Sequence, residues 1–198
     1  MTAADVDVAD DVTGCILAGG RGRRLGGALK PLLIVDGERI VDRQRRVLAP
    51  RVAELLIAVA GPGPLAELGL PAVIDRHPDA GPLAGVDAAL AARARPWLLV
   101  VAGDMPDLRG AVLDLLLAAR RADVDAVVPR IGGYPEPLLA LYGLTAAPVI
   151  ARALADGRRK SQAILAELRV AWIDEAAVRA VDPDLASLRN VNHAHQVR

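Results

Sequence analysis

Cysteine, serine and lysine are scarce in this chain of 198 residues, and each shortage removes a class of chemistry. The one cysteine, Cys15, cannot close an internal disulfide, and its place inside an apolar run reads as a small buried hydrophobe in a reducing cytoplasm. The two serines, Ser161 and Ser187, stand in no GxSxG, and the chain has neither an HExxH nor a paired CxxC. Serine hydrolase and zinc protease readings therefore lack their parts. Two of the histidines fall in "NHAH" at 192–195, near the chain end, where exposure to solvent is the expected state rather than metal ligation. The formal net charge is zero, so no global field draws the protein onto nucleic acid or an anionic membrane. No window holds the ~18 apolar residues of a membrane span. Asp5, Asp7, Asp10 and Asp11 lead the chain without a basic region or an apolar core, unlike a signal peptide. The expected organisation is a flexible acidic tail over 1–12 and one domain over 13–198, since roughly 100 to 200 residues per domain is usual.

What is present is regular. Short apolar runs fit buried strands at Cys15 to Leu17, Leu55 to Ala60, Ala72 to Ile74, Trp97 to Val101, Ala126 to Val128, Leu138 to Tyr142 and Val170 to Ile173. Between most of them, helical spacing occupies Ile40 to Leu48, Leu83 to Ala94, Val112 to Arg121, Ala146 to Ala155 and Ser161 to Leu168. Strands alternating with helices predict an α/β fold with a mostly parallel sheet covered on both faces. In such a sheet ligands collect at the carboxyl ends of the strands, so the loops after strands carry the functional candidates.

The first such loop is "LAGGRGRRLGGALK" at 17–30, with five glycines, three arginines and a lysine. Glycine lets main-chain N–H groups approach a ligand closely, which makes a concave donor surface for phosphate oxygens. Arg21, Arg23, Arg24 and Lys30 would neutralise them; a flexible loop with solvated arginines is the plainer alternative. Against 22 arginines the chain has only two lysines, so Lys30 inside this loop points to a site that wants a compact ammonium rather than a planar fork. Leu25 stands where the dinucleotide fingerprint needs a small residue, and Pro31 follows Lys30 where a P-loop needs Ser or Thr.

Asp104 directly follows the strand-like "PWLLVVAG" and lies between Gly103 and Met105-Pro106. A lone carboxylate there can hold Mg2+, which takes one or two protein carboxylates plus phosphate oxygens and water; the alternative is an N-cap for a helix starting near Leu108. Asp75 ends another strand and precedes "RHPDAGPLAG", whose turn opens a helix from Leu83 with amides able to meet a nucleotide. Asp75 and Asp79 are equally suited to forming turns.

"LAGGRGRRLGG" with the following Lys30, then "AGPLAG", "GDMP", "GRR" at 157–159 and "NVN" at 190–192, resembles in that order the molybdenum cofactor guanylyltransferase type of nucleotidyltransferase, from Thr13 to Asn192. The resemblance implies a Rossmann-like three-layer sandwich of the nucleotide-diphospho-sugar transferase type, GTP as donor, Mg2+ as cofactor and molybdopterin as acceptor, with pyrophosphate released. It places Leu17, Ala18, Gly19 and Gly20 against the nucleotide, with Arg24 and Lys30 on the triphosphate. Asp75, Gly81, Pro82 and Leu83 would lie near the nucleoside, Asp104 would hold the metal, and Asn190 and Asn192 would form an acceptor-side or metal-adjacent pair. Arg24, Lys30 and Asp104 are thus the implied catalytic set. Transient contact with molybdenum insertion proteins or molybdoenzyme chaperones is a further implication. The chain departs from the family pattern at Leu29, commonly aspartate, at Ala58, often asparagine, and after "NVN", where a Thr or Ser with Pro-Glu is usual. On the same scaffold, a molybdopterin cytidylyltransferase and a cobinamide-phosphate guanylyltransferase stay open as alternatives, as does a noncatalytic nucleotide-binding module.

Overall fold

Strand after strand in this chain is apolar on both faces, and the structure shows why. A computed structural model describes residues 8–19, 29–61, 63, 65, 68–77 and 80–191. Its central sheet runs β10(Val170–Asp174), β7(Ala126–Ile131), β9(Leu139–Gly143), β6(Trp97–Ala102), β1(Ala9–Leu17), β4(Val52–Val59), β5(Ala72–Ile74). A short β8(Tyr134–Pro135) pairs with β7. All neighbours on that path are parallel except β9, which is antiparallel to both β6 and β7.

Side chains alternate across a strand, so a sheet covered on both sides needs apolar residues at odd and even positions alike. In β6, Leu99 and Val101 enter one core, while Leu98 and Val100 enter the other. In β9, Leu139 and Leu141 divide in the same way from Ala140 and Tyr142. The first core is closed by α1(Ile40–Leu48), α3(Gly110–Ala118) and α6(Glu175–Val181). The second is closed by α2(Pro82–Ala92), α4(Ala146–Ala155) and α5(Ser161–Ile164). This is the three-layer sandwich that the alternation of elements predicts.

Several boundaries differ from the sequence expectations. β1 begins at Ala9, inside the stretch assigned to an acidic tail, because Val12 is fully buried and Ala9 pairs with Val52. The helix expected over Ser161 to Leu168 is one α-turn followed by a 3-10 turn at Leu165–Glu167. The helix α3 starts at Gly110 with Arg109 in the capping position, so Asp104 is not its cap. Two elements carry no apolar run long enough to reveal them. The hairpin of β2(Ile34–Val35) and β3(Glu38–Arg39) turns on Asp36-Gly37, both at positive φ (49° and 81°), as a type I′ turn requires. The helix α6 is capped by Asp174, whose carboxylate accepts from the Ala177 amide at 2.8 Å. Among the described residues, no helix is long and apolar enough to cross a membrane.

Candidate active site

The chain leaves β1 towards β4 on one side and later places β6 on the other, so the sheet reverses its strand order between β1 and β6. Crevices for ligands form at the carboxyl ends of such strands. Here the register sets Leu17 level with both Ala102 and Ala58, which brings the ends of three strands to one rim. The Gly103 amide donates to the Leu17 carbonyl at 2.9 Å, and that of Ala18 donates to the Ala58 carbonyl at 2.7 Å. A Cβ at Gly103 would lie 2.7 Å from the Leu17 oxygen and 2.8 Å from Pro31 Cγ, so the two segments approach this closely only because residue 103 has no side chain.

That close approach brings the two residues singled out by the sequence together. Lys30 opens a 3-10 turn, Lys30–Leu32, and its Nζ donates to Asp104 Oδ2 at 2.7 Å. Both side chains are partly shielded, with 27% and 19% of their surface exposed. The backbone around Asp104 is held by neighbouring segments, its carbonyl accepting from the Val191 amide at 2.9 Å. Gln44 of α1 donates from Nε2 to the carbonyls of Ala102 (2.8 Å) and Met105 (3.0 Å), on either side of Gly103-Asp104.

Beyond Asp104 opens a cleft of about 580 Å³, of the size that small-molecule sites occupy. Pro82 at the start of α2, Glu136, Arg159, Lys160 and Asn190 line it together with Asp104. Two cations thus face a cleft that also holds two carboxylates. Burial pushes the Glu136 carboxyl above the ordinary glutamate range. Glu136 and Lys160 were not singled out by sequence reasoning as site residues. Lys160 is the other of the two lysines, and Glu136 lies in "GGYPEP", whose turn character hid its side chain.

The remaining candidates divide clearly. Asp75 follows β5; its amide donates to the Val59 carbonyl and its carboxylate accepts from the His77 amide at 2.7 Å, the geometry of an Asx turn. Gly81 has φ +77° and caps α2, with Pro82 as the first helical residue. Leu83 has only 1% exposure, so its side chain belongs to the core. Leu17 packs against the second core, Ala18 is buried and Gly19 is exposed beside the Ala60 backbone. Ala58 is buried under α2, where a Cβ at Gly85 would lie 3.6 Å from its own Cβ. Leu29 likewise packs on the first core. Gly20, Arg21, Arg23, Arg24, Asp79, Asn192 and the two histidines of "NHAH" lie outside the described residues.

Among the described residues no group of three or more His, Cys, Asp or Glu could hold a metal ion. Asp104, with Glu136 as the other carboxylate of the cleft, suits a hard cation that completes its shell with water and phosphate oxygens, as Mg2+ does, and does not suit a structural zinc.

A family profile described as "MobA-like NTP transferase domain" matches residues 14–172. A molybdenum cofactor guanylyltransferase of Desulfosudis oleivorans is 38% identical over 185 residues, covering 92% of this chain and 91% of that protein. One from Pseudomonas paraeruginosa is 37% identical over 176 residues and covers 87% of each chain. The crystal structure of molybdopterin-guanine dinucleotide biosynthesis protein A from Archaeoglobus fulgidus superposes with a TM-score of 0.80 at 29% identity, covering 93% of this chain and 94% of that one.

Proposed function

Since the chain belongs to the MobA-like NTP transferase family, we propose that it transfers GMP from GTP to the terminal phosphate of molybdopterin, with Mg2+ as the metal. The observation that carries this reading is the Lys30–Asp104 pair at 2.7 Å, at the rim where β1 and β6 end and beside a cleft large enough for an acceptor. The names of the relatives point to the same substrates.

An acceptor phosphate is already anionic at neutral pH, so its oxygen attacks the α-phosphorus of GTP without a base. The new P–O bond forms as the bond to the β-phosphate oxygen breaks, and pyrophosphate leaves with that electron pair. No Ser, Cys or His nucleophile is needed, in keeping with the rarity of all three. The protein's task is alignment and charge stabilisation. Lys30 binds the phosphate chain, and Arg24 of the glycine loop adds a second cation to it. Asp104 holds Mg2+, which when bound neutralises charge on the triphosphate and on the departing pyrophosphate. Leu17 to Gly20 contribute backbone along the nucleotide, while Gly81, Pro82 and the Leu83 amide bring the start of α2 to it. Asp75 serves the nucleoside side as the residue that shapes the turn after β5. Arg159, Lys160 and Asn190 suit the anionic acceptor, and we assign Asn192 to the acceptor as well.

We assign the activity to the cytoplasm. Cys15 is buried, and burial pushes its thiol up to about 12, which leaves it inert. Release of the product to molybdenum insertion proteins or molybdoenzyme chaperones completes the proposal. The direct test is pyrophosphate release with molybdopterin and each of GTP, CTP, ATP and UTP in turn. GTP-selective, Mg2+-dependent release that requires molybdopterin supports the reading. Release with CTP alone would make the protein a cytidylyltransferase, and none with any nucleotide would leave a binding module.

A further inference from the structure

A primary amide buried with half of its hydrogen-bonding capacity unused is costly, and α1 carries one. Gln44 is fully buried. Its two partners, the carbonyls of Ala102 and Met105, are acceptors only, so the amide nitrogen must face them. Its Oε1 is then buried with no hydrogen-bond partner among the described residues. An orphan of this kind costs about 1–3 kcal/mol, which an apolar side chain of similar length would avoid.

The two carbonyls that Gln44 holds stand on either side of Gly103-Asp104. The only backbone bond closing this turn from within, Met105 N–H to the Ala102 carbonyl among the described residues, is long at 3.3 Å. Gln44 therefore supplies the stronger constraint on the turn. The same helix also anchors the opposite member of the pair. The Ile40 amide at the start of α1 donates to the Leu33 carbonyl at 2.9 Å, directly after the turn that carries Lys30. One rigid helix thus fixes both the segment that presents the ammonium and the turn that presents the carboxylate.

The geometry points to Gln44 as a positioning residue, which holds the Gly103–Met105 turn so that the Asp104 carboxylate presents its remaining lone pairs to a divalent cation while staying in reach of Lys30. This rests on the reading that Asp104 holds that cation. Partners one shell removed from a metal commonly change affinity by about 10- to 100-fold when lost, and Gln44 acts here through the backbone of the ligand's own turn.

The test is Gln44→Met, which keeps length and volume while removing both donors and the orphan oxygen. The readout is GTP binding by calorimetry as Mg2+ is titrated, alongside thermal melting. The expected result is a half-saturating Mg2+ raised about 10- to 100-fold, with the melting temperature unchanged or lowered, since the orphan oxygen is removed but the Ala102 and Met105 carbonyls lose their donor. Gln44→His, whose single Nε2–H can donate to one of the two carbonyls, should restore part of the metal affinity. An unchanged Mg2+ requirement in Gln44→Met overturns the inference. So does a lowered melting temperature with Mg2+ affinity intact, which would make the amide a packing group. Asp104→Asn separates the two levels. If that variant keeps the metal dependence of GTP binding, the metal assignment itself fails; if it loses the dependence while Gln44→Met does not, only the role of Gln44 fails.

Discussion

Two carboxylates at opposite rims of the sheet make unlike use of the same chemistry. Asp104 follows the carboxyl end of β6, and Asp125 precedes the amino end of β7; these strands run in the same direction, both antiparallel to β9. Asp125 is saturated. It accepts from Thr145 Oγ1 at 2.5 Å, from the Arg169 amide at 2.8 Å and from Arg169 Nε and NH2 at 3.0 and 2.7 Å. The Arg169 guanidinium, with Thr145 and the Arg169 amide, holds its carboxyl well below the usual range against the opposing effect of burial. Asp104 faces a cleft and receives Lys30, which leaves lone-pair sites for a ligand. A carboxylate whose acceptor sites are filled by the protein ties elements together, and one left part-filled at a cleft can do chemistry.

The sharpest way to break that contrast is to neutralise each member. Asp104→Asn is expected to lower pyrophosphate release about 10²- to 10³-fold without shifting the melting temperature. Asp125→Asn should leave the KM for GTP unchanged and lower the melting temperature. Parallel losses of activity in the two variants would show that the rims do not differ in kind. Next in size is Gly103→Ala. A methyl group against the Leu17 carbonyl and Pro31 must push the Lys30 and Asp104 segments apart, with a cost of about 1–3 kcal/mol in denaturant unfolding and about 10²-fold in turnover. Lys30→Arg follows, since the wider guanidinium cannot replace a compact ammonium at 2.7 Å from Asp104. Near-normal steady-state kinetics in that variant would show that Lys30 supplies charge alone.

The smallest effects lie in the pH dependence, where the two rims should differ in sign. The folded-state pKa of Asp125 is depressed, so its contribution to stability is present above the ordinary aspartate value of about 3.9 and is lost as pH falls towards the depressed value. Glu136 in the cleft is raised by burial. Its contribution is present below the ordinary glutamate value of about 4.3 and is lost as pH rises through the raised one. Melting curves between acid and neutral pH should carry both opposite slopes in the parent, with Asp125→Asn losing one and Glu136→Gln the other. A parent slope that survives both substitutions would assign the titration to other groups.

How much of this was legible beforehand follows from what each element depends on. Ile40–Leu48 and Ala146–Ala155 were readable to the residue because periodic burial is written in the local pattern, and Ala72–Ile74 because a short apolar run lies between turn residues. The hairpin at Asp36-Gly37 had a turn signal but strands of two residues, too short to show alternation. The seven residues of α6 bury only Val178, too little to mark a helical stripe. The direction of β9 was not legible at all, since an apolar strand buried on both faces reads the same way along either axis. At the site, Lys30 and Asp104 stood out by rarity and by position after a strand. Gln44 gave no signal, because a glutamine on an amphipathic helix looks like a solvated one until its neighbours are known.

The sequence by itself determined the α/β alternation, the continuous apolar character of the central strands and the residue types for gripping phosphate, since these follow from period and composition over a few neighbouring positions. Only the tertiary structure decided which of these residues meet. Lys30 and Asp104 are 74 positions apart and join because β1 and β6 are adjacent at the point where strand order reverses. Chain distance carries no record of that adjacency, which arises from packing two apolar faces of one sheet beneath helices on both sides.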